Sequence, residues 1–224
     1  MLNKRKELLV RICILLVGLL IAHAGVALFL LVGLGTDPFN VLVQGVSQFL
    51  ANQNWGITLS HGSVHRIICL LIILVLLVVE RSYIKVGTIV CMLCGGPFID
   101  LFNVLFSPWV SESLPLALRL LITAVACCIL AFGMTIVIKS DAGTGPNDLV
   151  AIVISDKIKK RFGIVRLVTD AVFVLIGFFL DASIGLGTLV CVVLVGPVAD
   201  FFLPVSGKIV DRLLNQTKHQ EISW

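Results

Sequence analysis

Long apolar runs, separated by short polar segments, dominate the order of residues along the chain. A helix needs about 20 apolar residues to cross a bilayer core about 30 Å thick. Six runs meet or approach that length: Leu8–Leu34, Gly62–Val79, Val86–Phe106, Leu114–Ile138, Gly163–Leu180 and Ile184–Val205. The pattern therefore predicts an all-α membrane protein with six transmembrane helices.

Two further apolar segments, Pro38–Ala51 and Pro146–Ile158, are too short to span. Both carry polar side chains at helical spacing. These are Asn40, Gln44, Ser47 and Gln48 in the first segment and Asn147, Asp148, Ser155 and Asp156 in the second. We predict that each segment forms a short amphipathic or re-entrant helix.

The composition narrows the class of protein. Of the 224 residues, 58% are apolar and 13% are charged, against about 25% charged residues in soluble domains. With a mean hydropathy of +1.10, this excludes a disordered chain, a nucleic-acid-binding module and an ordinary soluble enzyme. The net charge of +4 is too small to indicate an acidic partner. Membrane lipid and a small-molecule solute are the expected partners.

The distribution of cations tests the number of spans, because cytoplasmic loops carry an excess of Lys and Arg. With the N-terminus in the cytoplasm, six spans leave only Arg66 and Arg119 of the 17 cations on the outer side. The inner side receives Lys4, Arg5, Lys6, Arg11, Arg81, Lys85, Lys139, Lys157, Lys159, Lys160, Arg161, Arg166, Lys208, Arg212 and Lys218. A spanning short helix would move every later loop to the other side, so we expect six spans with both termini in the cytoplasm.

Ala22, His23 and Ala24 follow a basic start and an apolar run, as a signal-peptide cleavage site does. The apolar run continues to Leu34, however, and an internal repeat uses it as a full helix. We therefore expect no cleavage.

The internal repeat relates the two halves of the chain. Residues Gly87–Phe102 and Gly187–Phe202 are identical at eight of sixteen aligned positions. Gly35–Pro38 likewise corresponds to Gly143–Pro146, where both copies have the pattern G-T-x-P. Residues 1–112 would form the first repeat and residues 113–224 the second, with a cytoplasmic tail from residue 206. Because each half has three spans, the second copy would be inverted, as in many secondary transporters.

The G-T-x-P turns permit two interpretations. Thr36 or Asp37, and Thr144, are suitable N-cap residues, and proline suits the first position of a helix. Each motif can therefore be a well-formed helix start. Alternatively, the two short helices direct their N-terminal amides into a cavity and bind an anionic group there. Asn40 corresponds to Asp148 in the repeat, which makes Asp148 a candidate at the same site.

The second motif, G-T-[I/L]-V-C-x4-G-P-x-x-D, ends at Asp100 and Asp200. An ionisable side chain inside a span should be paired or face water. The expected partners are the repeat-related Arg66 and Arg166, one pair in each half. The pairs would fasten neighbouring helices, serve as two gates, or contribute an arginine to anion binding. Asp170 has no counterpart in the first half, and as an unpaired acid it is the best single candidate for a proton or cation site.

The paired G-T-x-P and G-T…G-P-x-x-D elements, in six spans and 224 residues, resemble the YczE/YyaS/YitT-type family of bacterial integral membrane proteins. The resemblance covers residues from about 10 to 205 and implies a bacterial inner-membrane protein. It implies no substrate. Asp37 departs from the second copy, which has Gly145 at that position.

These features favour a small secondary transporter or channel for a small solute, with an anion as the first candidate. The alternative is a membrane scaffold or regulator that acts through a partner at the basic face around Lys157, Lys159, Lys160 and Arg161. An enzyme is the weakest class, since no Ser-His-Asp set, H-E-x-x-H motif or phosphate-binding loop is present. No cofactor and no metal is predicted, because Cys91 and Cys94 lack a second pair or a nearby His.

Overall fold

The computed structural model describes residues 4–52 and 61–222, and its regular structure within these ranges is entirely helical. The helices are α1 (Lys4–Leu31), α2 (Pro38–Asn52), α3 (His61–Val79), α4 (Val86–Phe106), α5 (Leu116–Ser140), α6 (Pro146–Ile158), α7 (Phe162–Phe179) and α8 (Leu186–Ile222). Within the described residues, six of them (all but α2 and α6) are long and apolar enough to cross a membrane. The predicted all-α membrane protein is thereby confirmed.

The outer faces of the long helices expose apolar side chains, as expected for helices in contact with lipid. Val78 on α3, Val104 on α4 and Phe179 on α7 are 89%, 76% and 80% exposed. Burying them in hydrocarbon removes this surface from water, and the intrahelical hydrogen bonds satisfy the backbone at the same time. The exposed apolar faces therefore mark the lipid-facing side of the bundle.

Helices α1 and α5 form the centre of the bundle, with α4 packed on α1 and α8 packed on α5. Small residues allow the two central backbones to approach closely: a methyl group on Gly25 would lie 2.6 Å from the Ala126 carbonyl oxygen. Around this contact, Ala131, Met134 and Val195 belong to one buried apolar cluster. The central pair is thus held by close backbone packing.

The two repeated motifs contact each other across the halves of the chain. The Gly187 amide at the start of α8 donates to the Leu34 carbonyl oxygen at 2.7 Å. At the corresponding positions, the Gly87 amide at the start of α4 donates to the Ala142 carbonyl oxygen at 2.8 Å. Each G-T-x-P turn is therefore fastened to the first turn of the last span of the other half.

The threonines at these two junctions differ in their bonding. The Thr188 hydroxyl donates to the Thr36 carbonyl oxygen at 2.6 Å, whereas the buried Thr88 hydroxyl has no partner among the described residues. We expect Thr188→Val to lower the free energy of unfolding by about 0.5–1.5 kcal/mol, because it removes a hydrogen bond to the part-buried Thr36 carbonyl. Thr88→Val should change it by less than about 0.5 kcal/mol.

Thermal unfolding of the two purified valine variants in detergent measures this difference. The two substitutions remove the same hydroxyl from equally buried positions, so each is the matched control of the other. Equal losses of stability would show that the Thr188 bond contributes nothing beyond packing.

The short helices lie along long helices of the other half. On α2, the ring of Phe39 lies 5.6 Å from that of Phe173 on α7, and a methyl group on Gly45 would lie 2.6 Å from the Gly177 carbonyl oxygen. On α6, Leu149 and Val153 pack in one buried cluster with Leu76 and partly buried Ile72 of α3. The first turn of α2 therefore lies beside the middle of α7, and α2 runs in the same direction as α7.

Helix α6 is also connected to the 3-10 turn Arg81–Tyr83, which links α3 to α4. The Tyr83 hydroxyl donates to a carboxylate oxygen of Asp156 at 2.8 Å. This hydrogen bond to the carboxylate raises the pKa of Tyr83. At the next residue of α6, the Lys157 Nζ lies 4.0 Å from a carboxylate oxygen of Glu80, just before the 3-10 turn. Part of the basic segment 157–161 therefore forms a salt bridge within the chain.

The last helix is longer than the sequence pattern predicted. We expected a span that ends at Val205 and a tail from residue 206, but α8 continues without interruption to Ile222. Ser206 is buried, and its hydroxyl lies 2.7 Å from that of Thr135. Val210 is buried against Ile14 and Ile136. Apolar residues at helical spacing thus continue the buried face of α8 beyond the predicted end.

Candidate functional site

A cavity of about 570 Å³ lies where the first turns of α2 and α6 meet α1, α3, α4 and α7. Pro38 and Pro146, the first residues of the two short helices, line it together with His23, Arg66 and Arg166. Its volume is in the range of pockets that bind small molecules, about 300–1,000 Å³. The cavity therefore brings the first turns of both short helices to one place.

Asp37 caps α2 and faces the cavity. One carboxylate oxygen accepts the Asn40 amide N–H at 3.2 Å, and the other accepts from the Asn40 side chain at 2.5 Å. The carboxylate has no salt bridge within the described part of the chain. The N-cap prediction is thereby confirmed for Asp37, which also places a formal negative charge on the cavity wall.

The two threonines of the turns have other roles than the predicted ones. The cap position of α6 is Gly145, which supplies no side-chain bond, so the prediction of Thr144 as an N-cap is wrong. The Thr144 hydroxyl is instead buried without a partner among the described residues. Thr36 contributes its carbonyl oxygen to the junction with Thr188. Neither threonine is among the described residues that line the cavity.

Arg166 on α7 joins two carboxylates in a buried ion network. Its guanidinium donates to Asp148 at 2.5 Å and to Asp170 at 3.0 Å. The Arg166 side chain is only 8% exposed and that of Asp170 only 1%. The second carboxylate oxygen of Asp170 is buried and has no partner in the described structure. Three charges from α6 and α7 therefore share one partially compensated network.

This network corrects two predictions. Asp170 is not unpaired, because the i,i+4 spacing on α7 places it one turn from Arg166. Arg166 in turn does not pair with Asp200, whose carboxylate accepts the Gly163 amide N–H at 2.7 Å.

The predicted pair in the first half is absent as well. Arg66 is exposed and donates to the Ser63 hydroxyl at 3.3 Å. Asp100 is also exposed, and no salt bridge joins it to Arg66 in the described residues. Spacing along the chain predicted how far along each span these residues lie, but the rotation of each helix decides which side chains meet.

The helix pairs that carry these residues differ in how closely they pack. Gly163 on α7 faces Gly196 on α8, and a methyl group on Gly163 would lie 2.3 Å from the Gly196 carbonyl oxygen. Their repeat counterparts are Gly62 on α3 and Gly96 on α4. There a methyl group would meet no neighbour within 4 Å among the described residues. Helices α7 and α8 are thus in close contact, while α3 and α4 stand apart beside the cavity.

His23 lines the cavity although it was not selected from the sequence. Its Nδ1 lies 2.7 Å from the Leu19 carbonyl oxygen, an acceptor, so Nδ1 is the donor and Nε2 carries no proton when the ring is neutral. A methyl group on Gly95 would lie 2.9 Å from Nε2. The available signal was a histidine in the middle of the first span, where polar side chains are rare and functional.

Both signs of charge are present at the wall of the cavity. Arg166 is fully engaged by Asp148 and Asp170, while Asp37 and the exposed Arg66 also line the cavity. Among the described residues, no group of three or more His, Cys, Asp or Glu side chains is placed to hold a metal ion. The cavity thus has a polar wall within an apolar bundle.

The comparisons with known proteins agree with the resemblance seen in the sequence. Residues 9–204 match a family described as a family of unknown function, DUF6198. The chain is 27% identical over 190 residues to "Uncharacterized protein YyaS" of Bacillus subtilis, covering 84% of this chain and 90% of the relative. It is 24% identical over 208 residues to "Uncharacterized membrane protein YczE" of the same organism, covering 92% of each.

A further relative is an uncharacterised protein of Haemophilus influenzae, 27% identical over 202 residues, covering 88% of this chain and 85% of the relative. No solved structure matches the chain at a significant level. The predicted resemblance to YyaS and YczE is thereby confirmed.

Proposed function

The chain belongs to the DUF6198 family, a family of unknown function, and from its geometry we propose that it is a small secondary transporter or channel. Its solute would bind in the cavity between the first turns of α2 and α6. We further propose that it lies in the bacterial inner membrane with both termini in the cytoplasm, and that it is not an enzyme.

The contacts between the halves support an inverted 3+3 repeat. The amides of Gly87 and Gly187 occupy equivalent positions and bond to Ala142 and Leu34, which are also equivalent. Helix α2 also lies on α7 of the other half, while α6 contacts both α3 of the other half and α7 of its own half. A pseudo-two-fold axis in the membrane plane relates contacts of this kind in transporters, and the solute site lies where the repeats meet.

The short helices are best explained as re-entrant helices. Phe39 in the first turn of α2 contacts Phe173, close to the middle of α7, and Gly45 contacts Gly177 near the end of α7. Helix α2 would therefore begin near the middle of the bilayer and return to the face at which α7 ends. Irregular backbone such as the turn before Pro38 is tolerated at that depth only where it lines a cavity or is buried in protein.

The observation that carries the proposal is the unequal packing of two equivalent helix pairs around one cavity. Helices α7 and α8 contact each other closely at Gly163, Gly196 and Asp200. Within the described structure, helices α3 and α4 do not contact each other at the equivalent Gly62 and Gly96. A transporter that alternates its access needs two gates, of which one is open at a time. With both termini inside, the open pair faces outwards, and the closed pair faces the cytoplasm.

The second state would exchange the two contacts. Helix α3 would close on α4, so that the Gly62 amide donates to Asp100 as Gly163 now donates to Asp200. Helix α7 would then separate from α8 and open the cavity inwards. Because the repeats supply the same residue types to both gates, the two states can have similar free energies.

A reversible crosslink between α3 and α4 tests this proposal. In a background without the seven native cysteines, Gly62→Cys and Gly96→Cys should form a disulfide during turnover and stop solute uptake by proteoliposomes. Reduction should restore uptake, because the crosslink holds only one of two required states. Each single variant is the control and should keep its uptake with and without oxidant.

Uptake that continues when the crosslink is complete would contradict alternating access through this pair. If no solute is taken up but reversal of the charges at Lys157, Lys159 and Lys160 abolishes the cellular role, the scaffold alternative holds instead.

A further inference from the structure

The charges around the cavity indicate which class of solute it accepts. Resting on the proposed function, we infer that the cavity binds an organic cation, with its positive group at Asp37 and an apolar body against the walls. The sequence pattern favoured an anion instead. In the fold, however, Arg166 is already paired with Asp148 and Asp170, whereas Asp37 has no salt bridge among the described residues.

Two guanidiniums line the described part of the cavity, and they differ in their surroundings. Arg166 is buried and donates to both Asp148 and Asp170. Arg66 is exposed and donates to the Ser63 hydroxyl. The residues that α4 and α5 contribute to the lining include no Lys or Arg. Arg66 is therefore the one guanidinium at the described lining without a salt bridge, and it is exposed.

Three carboxylates lie at or beside the cavity, against the two guanidiniums of Arg66 and Arg166. Asp148 and Asp170 share Arg166, so Asp37 is the carboxylate that lines the cavity outside this ion network. Asp37 is bonded only to Asn40 and has no salt bridge within the described residues. An anion would have to lie beside this carboxylate, where the two like charges would repel each other. A cation bound at the same place would neutralise the charge of Asp37.

The helix dipoles do not reverse this balance. The N-termini of α2 and α6 carry partial positive charge and would favour an anion if they were uncovered. Asp37 caps the first terminus, and Asp148 lies in the first turn of the second. The charge of Asp37 therefore outweighs the partial positive charge at the start of α2, and the start of α6 already has the ion pair of Asp148 and Arg166.

The walls define the remainder of the solute. Leu19, Val26, Leu130 and Val195 contribute apolar surface, and Met92 and Met134 contribute flexible, polarisable thioethers. A hydrated metal ion would gain nothing from such walls and would need several converging oxygen ligands. An ammonium or phosphonium group with an apolar body satisfies both the carboxylate and the walls.

Two ions of the same shape and opposite charge test the inference. Tetraphenylphosphonium should bind saturably to the purified protein in detergent, and tetraphenylborate should not, as measured by equilibrium dialysis. Asp37→Asn should weaken tetraphenylphosphonium binding about tenfold or more, which corresponds to about 1.4 kcal/mol. Asparagine caps a helix as well as aspartate does, so this variant removes the charge and keeps the start of α2.

Asp100→Asn is the matched control, because Asp100 is exposed and is not among the described residues that line the cavity. It should leave tetraphenylphosphonium binding unchanged. Saturable binding of tetraphenylborate with equal or higher affinity, no saturable binding of tetraphenylphosphonium, or an unaltered affinity in Asp37→Asn would each overturn the inference.

Flux measurements separate this inference from the proposed function. If tetraphenylphosphonium binds in an Asp37-dependent way but no cation crosses the proteoliposome membrane, the cation-binding site is supported and the proposed transport is contradicted. If an anion is transported and Asp37→Asn has no effect, the proposed transport is supported and the cationic solute is contradicted.

Discussion

Replacing Arg166 by methionine should destabilise the protein by about 3–5 kcal/mol, the usual cost of removing one partner from a buried ion network. Arg166 is the only cation that compensates Asp148 and Asp170 among the described residues. The Asp170 side chain is 1% exposed and already has one oxygen without a partner. Without the guanidinium, two carboxylates would remain in the low-dielectric interior, where an uncompensated charge is costly.

The thermal unfolding midpoint of the purified protein in detergent measures this effect. Arg66→Met is the matched control, since Arg66 is the repeat counterpart of Arg166 but is exposed. It should change the free energy of unfolding by less than about 0.5 kcal/mol. Adding Asp148→Asn and Asp170→Asn to Arg166→Met should recover most of the loss. A triple variant no more stable than the single one would show that Arg166 acts through packing, not charge.

The second large effect is expected at Gly163. In Gly163→Ala the new methyl group would lie 2.3 Å from the Gly196 carbonyl oxygen and 2.7 Å from the Asp200 carboxylate. Overpacking of this kind costs about 1–3 kcal/mol, and the obstructing Gly196 atom belongs to a backbone that cannot rotate away. Gly62→Ala should instead raise stability by up to about 1 kcal/mol, because alanine favours a helix over glycine and the site is open.

Uptake by proteoliposomes distinguishes a gate from a simple packing contact. If α3 must close on α4 as α7 closes on α8, then Gly62→Trp, whose side chain is far larger than that of the cysteine used for crosslinking, obstructs that second state and should abolish or strongly reduce uptake in a stable protein. Ser63→Trp, at the next position, is its control and should retain uptake. A stable Gly62→Trp protein with normal uptake would rule out closure at this position.

The helices were predictable because the bilayer imposes their length. A span must satisfy all its backbone groups internally across about 30 Å of hydrocarbon, so an apolar run of that length can form little else. The ends of α3, α4 and α6 agree with the predicted ends to within one residue. The repeated G-T-x-P and G-T…G-P-x-x-D motifs were recognisable for a related reason, since each junction needs glycine where two backbones touch.

The partners of the charged residues were not predictable in the same way. Arg166 and Asp200 lie on neighbouring helices, yet Arg166 turns to Asp148 and Asp170 while Asp200 bonds to the Gly163 amide. A rotation of one helix by a third of a turn exchanges such partners without altering any apolar pattern. His23 was missed for the same reason, because its approach to the cavity depends on how α1 faces α4.

The sequence by itself determined the class of protein, the six long helices, the two short ones and the residues that repeat between the halves. These follow from local properties, namely run length, helix-start chemistry and identity at a constant offset. Only the tertiary structure decided which helix pair packs closely, that Arg166 is fully engaged, and that Asp37 lines the cavity without a salt bridge among the described residues. These depend on the rotation and separation of whole helices, where close packing of small residues favours one of several arrangements that the same apolar pattern allows.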